Sequence, residues 1–304
     1  MSLSQIAIVA EQYQRNCTAP LGFVFKDLKS GEVITYRGDE VFPTASSYKI
    51  FILAELFRKV AAGECSLSDR IELREEEKSI GSGLLAQFDS GLTPTLKDYA
   101  TLMMIISDNT ATDILFRFLG RDNIKKNVLE PLGLSHTKCD LSCRALIENY
   151  FELNGKSIMQ LLDENNGAYP SFHNSKWYRC KVDENDETTP LEAAKMLELL
   201  YRGEWVSPET SSAMLNIMKA CQTNSRIPKY LPLNVPVAHK TGTLDKLNAD
   251  IGIVYTPKGD YILCMYYNGN LASKEEYDNN PLSCFSENYL AELSRDIYKA
   301  YLED

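Results

Sequence analysis

A serine and a lysine lie three residues apart in the segment Ser46-Ser47-Tyr48-Lys49. In a helix this spacing places both side chains on one face, about 5–6 Å apart at Cβ, so the lysine could take a proton from the serine. Apolar residues follow almost without interruption to Phe57, which predicts a buried helix and a poorly solvated Lys49. Desolvation and the positive helix N-terminus favour the neutral amine, which can act as a base. Ser46 could therefore be a nucleophile whose backbone N–H faces a developing oxyanion. The alternative is a capped helix start with a surface lysine.

A second segment with chemical potential, Ser107-Asp108-Asn109, lies between two helical patterns. The hydroxyl of Ser107 could pass a proton to a leaving nitrogen, and the amide of Asn109 could hold a substrate carbonyl. The alternative is an ordinary turn between helices in which Asn109 caps the second helix.

The third segment, Lys240-Thr241-Gly242-Thr243, follows an apolar, strand-like run. On a strand edge, the lysine and the hydroxyls could hold the carboxylate of an extended substrate, and Thr243 could supply a second oxyanion N–H. The alternative is a strand end that enters a turn. Each segment alone has such a structural explanation, but the three in this order favour covalent acyl transfer. Arg226 could add positive charge near this strand or could form a simple salt bridge.

The elements that must position these residues follow from hydrophobic periodicity. The pattern predicts helices at 4–15, 49–62, 96–106, 110–119, 191–201 and 287–302, and strands at 21–25, 33–36, 235–239, 251–255 and 261–267. This order predicts an α/β fold in which both ends of the chain build one antiparallel sheet flanked by terminal helices, with an all-α lobe inserted. We assign residues 1–45 and 222–304 to the α/β lobe and residues 46–221 to the all-α lobe.

The least regular stretch, at about 134–189, is too long for an ordinary connection, which predicts a functional loop or an insertion. It contains residues of the types that bind zinc, namely His136, Cys139, Cys143, His173 and Cys180. Their spacing fits no standard zinc pattern, so we predict buried thiols and surface imidazoles, with no metal.

Composition excludes several other classes of function. With 42 acidic and 32 basic residues, the net charge of −10 disfavours nucleic acid and anionic membranes as partners. The eight cysteines are dispersed along the chain, which predicts reduced thiols. No apolar run is long enough for a membrane span or signal peptide, which predicts a cytoplasmic protein unless an export signal has been removed. We expect a monomer that binds a small molecule.

Together the three segments resemble the motif set of class A β-lactamases and penicillin-binding proteins. The resemblance covers most of residues 1–130 and 186–304. Flanking residues agree with it, namely Phe42-Pro43, Thr110-Ala111-Thr112-Asp113, Thr188-Thr189-Pro190 and His239. It implies an α/β sandwich beside an all-α lobe, with the site in the cleft between them and no cofactor. It also implies roles: Ser46, Lys49 and Ser107 as catalytic residues, and the substrate-binding residues Asn109, Lys240, Thr241 and Thr243.

One departure from the resemblance concerns hydrolysis of the acyl-enzyme. Class A enzymes carry Glu-x-x-Leu-Asn after the second motif, and its glutamate activates the hydrolytic water. Here the corresponding pair is Leu153-Asn154, and Tyr150 occupies the glutamate's expected place. Glu148 and Glu152 are close but out of register. We therefore expect complete acylation chemistry and incomplete deacylation chemistry.

Two alternatives remain open at this point. A D,D-peptidase or esterase would use the same acylation site on a peptidoglycan-like peptide or an ester. A β-lactam-binding sensor module would be acylated as its signal, without turnover. Nitrocefin, D-Ala-D-Ala peptides and p-nitrophenyl esters distinguish these activities.

Overall fold

The computed structural model describes residues 4–17, 19–150, 153, 160, 163–164, 185–244, 247–269 and 282–303. Its main helices are α1 (Ser4–Asn16), α2 (Lys49–Ala61), α3 (Leu96–Ile105), α4 (Asn109–Leu119), α5 (Arg121–Ile124), α6 (Cys143–Tyr150), α7 (Pro190–Arg202), α8 (Pro208–Lys219) and α9 (Leu282–Glu303). Its strands are β1 (Leu21–Asp27), β2 (Val33–Tyr36), β3 (Phe42–Pro43), β4 (Glu187–Thr188), β5 (Val237–Leu244), β6 (Leu247–Val254) and β7 (Tyr261–Asn268).

Both ends of the chain contribute to one five-stranded antiparallel sheet in the order β2-β1-β7-β6-β5. Side chains of β1 alternate between its faces: Phe23 and Phe25 pack with α1 and α9, whereas Val24 joins the cluster that contains α2 and α7. Helices therefore cover both faces of the sheet, which confirms the predicted α/β architecture. Among the described strands, β5 forms one edge of the sheet.

Helix α2 is buried almost all round, as its sequence predicts. Every residue from Lys49 to Phe57 is buried, and the helix packs against α3, α4 and α8. Its acidic residue, Glu55, ion-pairs with Arg58 and accepts a hydrogen bond from Asn127 Nδ2, so its charge is compensated. This packing on all sides fixes the position of Lys49 in the first turn.

The turn between α3 and α4 is capped by Asp108 and not by Asn109. Asp108 Oδ1 accepts a hydrogen bond from Ala111 N, the pattern of a helix N-cap. Its Oδ2 accepts hydrogen bonds from Leu84 N and Leu85 N, which holds the preceding loop against the same turn. The side chain of Asn109 is thus free of a capping role.

Strands β5 and β6 are longer than predicted. β5 continues to Leu244, so Lys240-Thr241-Gly242-Thr243 lies inside a strand and not beyond its end. β6 begins at Leu247 because polar residues near its start, such as Asn248, have buried partners in the fold. The division into two lobes at 45/46 and 221/222 stays a prediction.

Part of the irregular 134–189 stretch is described. The described part of this stretch contains α6 and β4. Strand β4 pairs with β3, which lies just before the segment that carries Ser46. No helix in the described ranges combines the length and the apolar character that a bilayer span requires.

Candidate active site

Ser46 lies in a one-turn 3₁₀ helix, Ala45–Tyr48, that leads directly into α2. Its side chain is partly exposed, whereas that of Ser47 is buried. Ser47 Oγ donates to Thr44 O at 2.8 Å and lies 3.1 Å from Tyr266 Oη, so Ser47 stabilises the turn. Ala45 has a φ of +44°, a strained conformation of the kind found at functional sites. The turn therefore exposes the side chain of Ser46 and buries that of Ser47.

Strand β5 approaches this turn closely because it has a glycine there. A Cβ at Gly242 would lie 2.4 Å from Thr44 O and 3.3 Å from Ser47 N, which is too close to the backbone. Gly242 thus lets β5 pack against the Ser46 turn and forms one wall of the site.

Lys49 is fully buried, and its side-chain nitrogen contacts the second motif. Nζ donates to Ser107 O at 2.8 Å, to Ser107 Oγ at 3.1 Å and to Asn109 Oδ1 at 2.9 Å. These three acceptors fix the lysine between the nucleophile's turn and the residue predicted to relay a proton.

Ser107 lies between two lysines. Its Oγ accepts a hydrogen bond from Lys240 Nζ at 3.1 Å in addition to the one from Lys49, so its own proton remains available for donation. Its φ of +59° is again a strained conformation. Burial, and then the nearby charge of Lys49, lower the pKa of Lys240 to about 7. Lys240 Nζ also donates to Thr241 O at 2.8 Å.

Asn109 is at the site but already partly engaged. Its Oδ1 accepts from Lys49, and its Nδ2 donates to Ile80 O at 2.9 Å. An amide nitrogen carries two hydrogens, so one remains for a substrate carbonyl. Gly81, with a φ of +98°, passes so close that a Cβ there would lie 2.7 Å from Asn109 Nδ2.

At the far end of β5, Thr243 is exposed and accepts a hydrogen bond from Arg226. The Arg226 guanidinium is fully buried, ion-pairs with Glu287 and donates to the backbone oxygens of Gly242 and Ala249. Burial lowers the pKa of Arg226, and the carboxylates of Asp250 and Glu287 oppose this effect. Arg226 therefore forms a buried network and not a surface salt bridge.

Helix α6 closes the site on the side of Lys49. Its first residue, Cys143, donates its N–H to Asp113 Oδ1 at 2.6 Å, and its Sγ lies 3.2 Å from Tyr48 Oη. Burial raises the pKa of the Cys143 thiol to about 11, although the charge of Lys49 acts in the opposite direction. One turn later, Ile147 Cδ1 is 3.4 Å from the position a Cβ would take at Gly81, beside Asn109. Helix α6 thus presents a thiol and an aliphatic side chain here.

The structure describes only some of the residues at and near the place of the missing glutamate. Tyr150 is the last residue of α6, and Glu148 is exposed on the same helix. Glu152 and Asn154 lie outside the described residues. Sequence reasoning missed the contact between Asp113 and Cys143. These residues are 30 positions apart in the sequence, and their hydrogen bond joins α4 to α6. The segment Thr110-Ala111-Thr112-Asp113 agrees with the family resemblance, but its sequence does not indicate that Asp113 binds Cys143.

Of the predicted site residues, Lys49, Ser107, Asn109 and Lys240 are joined by hydrogen bonds. Ser46 precedes Lys49 by three residues, and Thr241 and Thr243 follow Lys240 on β5. In the described part of the chain, no cluster of three or more metal-binding side chains occurs. His136 pairs with Glu192 on the surface, and the six cysteines whose side chains are described are free. His173 and Cys180 lie outside the described residues.

Comparisons with known proteins identify the family of this chain. A model of the beta-lactamase enzyme family matches residues 4–301. Beta-lactamase SME-1 of Serratia marcescens is 27% identical over 225 residues, which are 73% of this chain and 66% of SME-1, slightly less than two thirds of that enzyme. The beta-lactamase from Sphaerobacter thermophilus DSM 20745 is 25% identical with a TM-score of 0.78, over 99% of both chains. PBP-A shares the fold, with a TM-score of 0.76, 23% identity and coverage of 98% of this chain and 97% of PBP-A. The chain therefore belongs to the beta-lactamase enzyme family.

Proposed function

We propose that this protein is a serine hydrolase of the class A β-lactamase type, which opens the β-lactam amide through an acyl-enzyme on Ser46. The observation that carries the proposal is the arrangement of the two lysines around Ser107. Lys49 and Lys240 both donate to Ser107 Oγ at 3.1 Å, and Lys49 lies in the helical turn that follows Ser46.

Acylation needs two proton transfers, and the site offers a group for each. As Ser46 Oγ bonds to the lactam carbonyl carbon, its proton passes to the Lys49 amine. When the C–N bond breaks, the hydroxyl proton of Ser107 passes to the departing nitrogen, and a lysine bonded to Ser107 Oγ replaces it. The backbone N–H groups of Ser46 and Thr243 are the proposed donors to the oxyanion.

The positive charges around β5 suit a substrate with a carboxylate. Lys240 and the hydroxyls of Thr241 and Thr243 would hold that group, and Arg226 fixes the hydroxyl of Thr243 at 2.7 Å. On the opposite side, the free hydrogen of Asn109 Nδ2 would bind the carbonyl of the acyl side chain. Both ends of a penicillin would thus be held while Ser46 reacts.

Deacylation is proposed to be slow. Ester hydrolysis needs a water and a base within hydrogen-bond reach, and α6 offers Cys143 and Ile147 beside Lys49 and Asn109. A thiol with a pKa of about 11 is protonated at neutral pH and does not serve as that base. We therefore expect a penicillin adduct that lasts minutes or longer, with a burst of product before a slow steady state.

The same feature supports a second candidate, a D,D-peptidase or esterase. Such an enzyme would share the acylation residues and release a natural peptide or ester product faster than a penicillin product. Turnover of D-Ala-D-Ala peptides or p-nitrophenyl esters without turnover of nitrocefin would favour this candidate. A stable adduct with no turnover of any substrate would favour a β-lactam-binding sensor.

Intact-mass spectrometry after incubation with benzylpenicillin tests the proposal. We expect the wild-type mass to rise by the mass of the penicillin, peptide mapping to place the adduct on Ser46, and Ser46→Ala to remove it while the far-UV circular dichroism is unchanged. Ser68→Ala, a matched change on the exposed loop after α2, should label fully. Full labelling of folded Ser46→Ala would overturn the assignment of the nucleophile.

A further inference from the structure

His239 is a buried imidazole that the acylation chemistry does not use. It precedes Lys240 on β5, so its side chain points to the opposite face of the strand. Gly252 on β6 makes room for it, since a Cβ at Gly252 would lie 2.6 Å from His239 Cβ. The register pairs these two residues directly, so the glycine and the histidine form one fitted pair.

Both ring nitrogens of His239 face acceptors. Nδ1 lies 2.9 Å from Asp250 Oδ1, and Nε2 lies 3.2 Å from the amide oxygen of Asn224. A neutral imidazole has one N–H, so two facing oxygens favour the doubly protonated ring. In agreement, the carboxylate of Asp250 raises the pKa of His239 to about 10 against the effect of burial. Burial raises the pKa of the Cys221 thiol, but contact with His239 holds that pKa below its ordinary value.

Asn224 belongs to segment 221–227, which lies between α8 and β5. Asp250 Oδ2 binds the same segment, because it accepts the N–H of Ile227 at 2.9 Å. At the other end of the segment, Gln222 N donates to Ile105 O at 2.8 Å, two residues before Ser107. Segment 221–227 therefore connects the turn that carries Ser107 to the strand that carries Lys240.

Arg226 lies between the two residues whose N–H groups attach the segment, Gln222 and Ile227. Its guanidinium donates a hydrogen bond to Thr243 Oγ1. A shift of the segment would move Arg226, and with it the hydroxyl of Thr243. We propose that His239, as an imidazolium paired with Asp250, is a positioning residue that fixes segment 221–227 and so holds Arg226 and Thr243 in place for capture of the substrate carboxylate. This inference rests on the proposed function.

The test uses two matched substrates, benzylpenicillin and its methyl ester, which lacks the negative charge. In His239→Gln we expect the second-order acylation constant for benzylpenicillin to fall roughly tenfold to a hundredfold, a typical cost of misplaced binding groups. The fall should appear as weaker half-saturation with the same limiting rate. The constant for the methyl ester should stay within about twofold, since Arg226 binds the hydroxyl of Thr243, whereas pairing of β5 with β6 holds the backbone N–H proposed for the oxyanion.

His136→Gln is the matched control, because His136 also pairs with a carboxylate, that of Glu192, but on the surface. It should leave both constants unchanged. Asn224→Ala is the second variant if His239→Gln does not fold, because it removes one hydrogen bond of His239 by a change at an exposed residue. It should change the two constants in the same way as His239→Gln.

Equal losses for both substrates, or no loss for benzylpenicillin, would overturn the role of His239. Failure of the wild-type protein to label at all would instead overturn the proposed function.

Discussion

At the scale of single residues, the most informative atom is Ser107 Oγ, which accepts hydrogen bonds from the side-chain nitrogens of two lysines. The lysines differ in their other contacts. Lys49 also binds Ser107 O and Asn109, which fixes it beside the nucleophile's turn, whereas Lys240 binds only one further oxygen among the described contacts, that of Thr241. As the neutral amine that the proposed base requires, Lys49 has two hydrogens for these three acceptors and a lone pair for the Ser46 proton.

Lys49→Ala should slow acylation on the order of 10²-fold or more, the usual contribution of a general base. Stopped-flow measurement with excess benzylpenicillin reports the rate directly. Lys59→Ala, a change on the partly exposed end of the same helix, is the control and should have no effect. An unchanged rate in Lys49→Ala would mean that another group takes the serine proton.

Lys240 should make capture of a carboxylate depend on pH. With a pKa of about 7, its amine is charged below that pH and neutral above it. The ratio of the acylation constants of benzylpenicillin and its methyl ester should therefore fall as the pH rises through about 7. Taking this ratio cancels the titration of groups that act on both substrates. In Lys240→Arg the guanidinium stays charged and the ratio should be flat; a flat ratio in the wild type would count against this role of Lys240.

The local motifs of the site could be predicted because their spacing is short. Ser46 and Lys49 share a helical turn, and Asn109 follows Ser107 by two residues. The bonds that hold these residues connect distant positions, for example Asp113 with Cys143 and His239 with Asn224. Such partners are fixed by tertiary packing, and a single sequence contains no periodicity that reveals them.

At the scale of elements, we expect α6 to influence how an acyl-enzyme is hydrolysed. The family motif places a base at the position of Tyr150, the last residue of α6. The residue of α6 that packs beside Tyr48 is instead the first one, Cys143. The irregular composition of the stretch hid this start. By contrast, apolar periodicity located α2, α3, α4 and α7 within one or two residues.

Glu148 and Cys143 provide opposite tests of this element. Glu148→Ala should leave the lifetime of the penicillin adduct unchanged, because the side chain of Glu148 is exposed. Cys143→Glu should shorten that lifetime, because it places a carboxylate near Lys49 at the N-terminus of α6, where a negative charge is favourable. Mass spectra at successive times after mixing report both lifetimes. A stable adduct in Glu148→Ala that is absent in the wild type would identify Glu148 as the base.

At the scale of the whole molecule, Asp186 joins parts of the chain that meet at the site. Its backbone oxygen accepts Thr44 N at 2.9 Å, just before the Ser46 turn. Its Oδ1 accepts Asp140 N at 2.7 Å and Leu141 N at 3.2 Å, just before α6. The residues after it form β4, which pairs with β3 and leads into α7 on the sheet. Asp186 thus connects the Ser46 turn, through its backbone oxygen, to the segment before α6, through its carboxyl.

This carboxyl is buried, and its Oδ2 has no hydrogen-bond partner among the described residues. Burial raises the pKa of Asp186 from 3.8 to about 8. Between these two values the folded protein keeps a proton that the unfolded chain releases, so the free energy of unfolding contributed by Asp186 falls as the pH rises. Below about pH 4 both states are protonated, and this contribution is fully present.

Asp186→Asn carries no titrating proton at this position and should abolish that slope. The free energy of unfolding of the wild type minus that of Asp186→Asn should therefore decrease by roughly 1.4 kcal/mol per pH unit between about pH 5 and pH 7.5. Urea unfolding at several pH values measures the difference, and other titrating groups cancel because both proteins contain them. Asp122→Asn, at an aspartate whose side chain is 87% exposed, is the matched control and should show no such trend. If the wild type and Asp186→Asn lose stability in parallel over this range, Asp186 is ionised in the folded protein, and the junction between the Ser46 turn and α6 is held by a carboxylate.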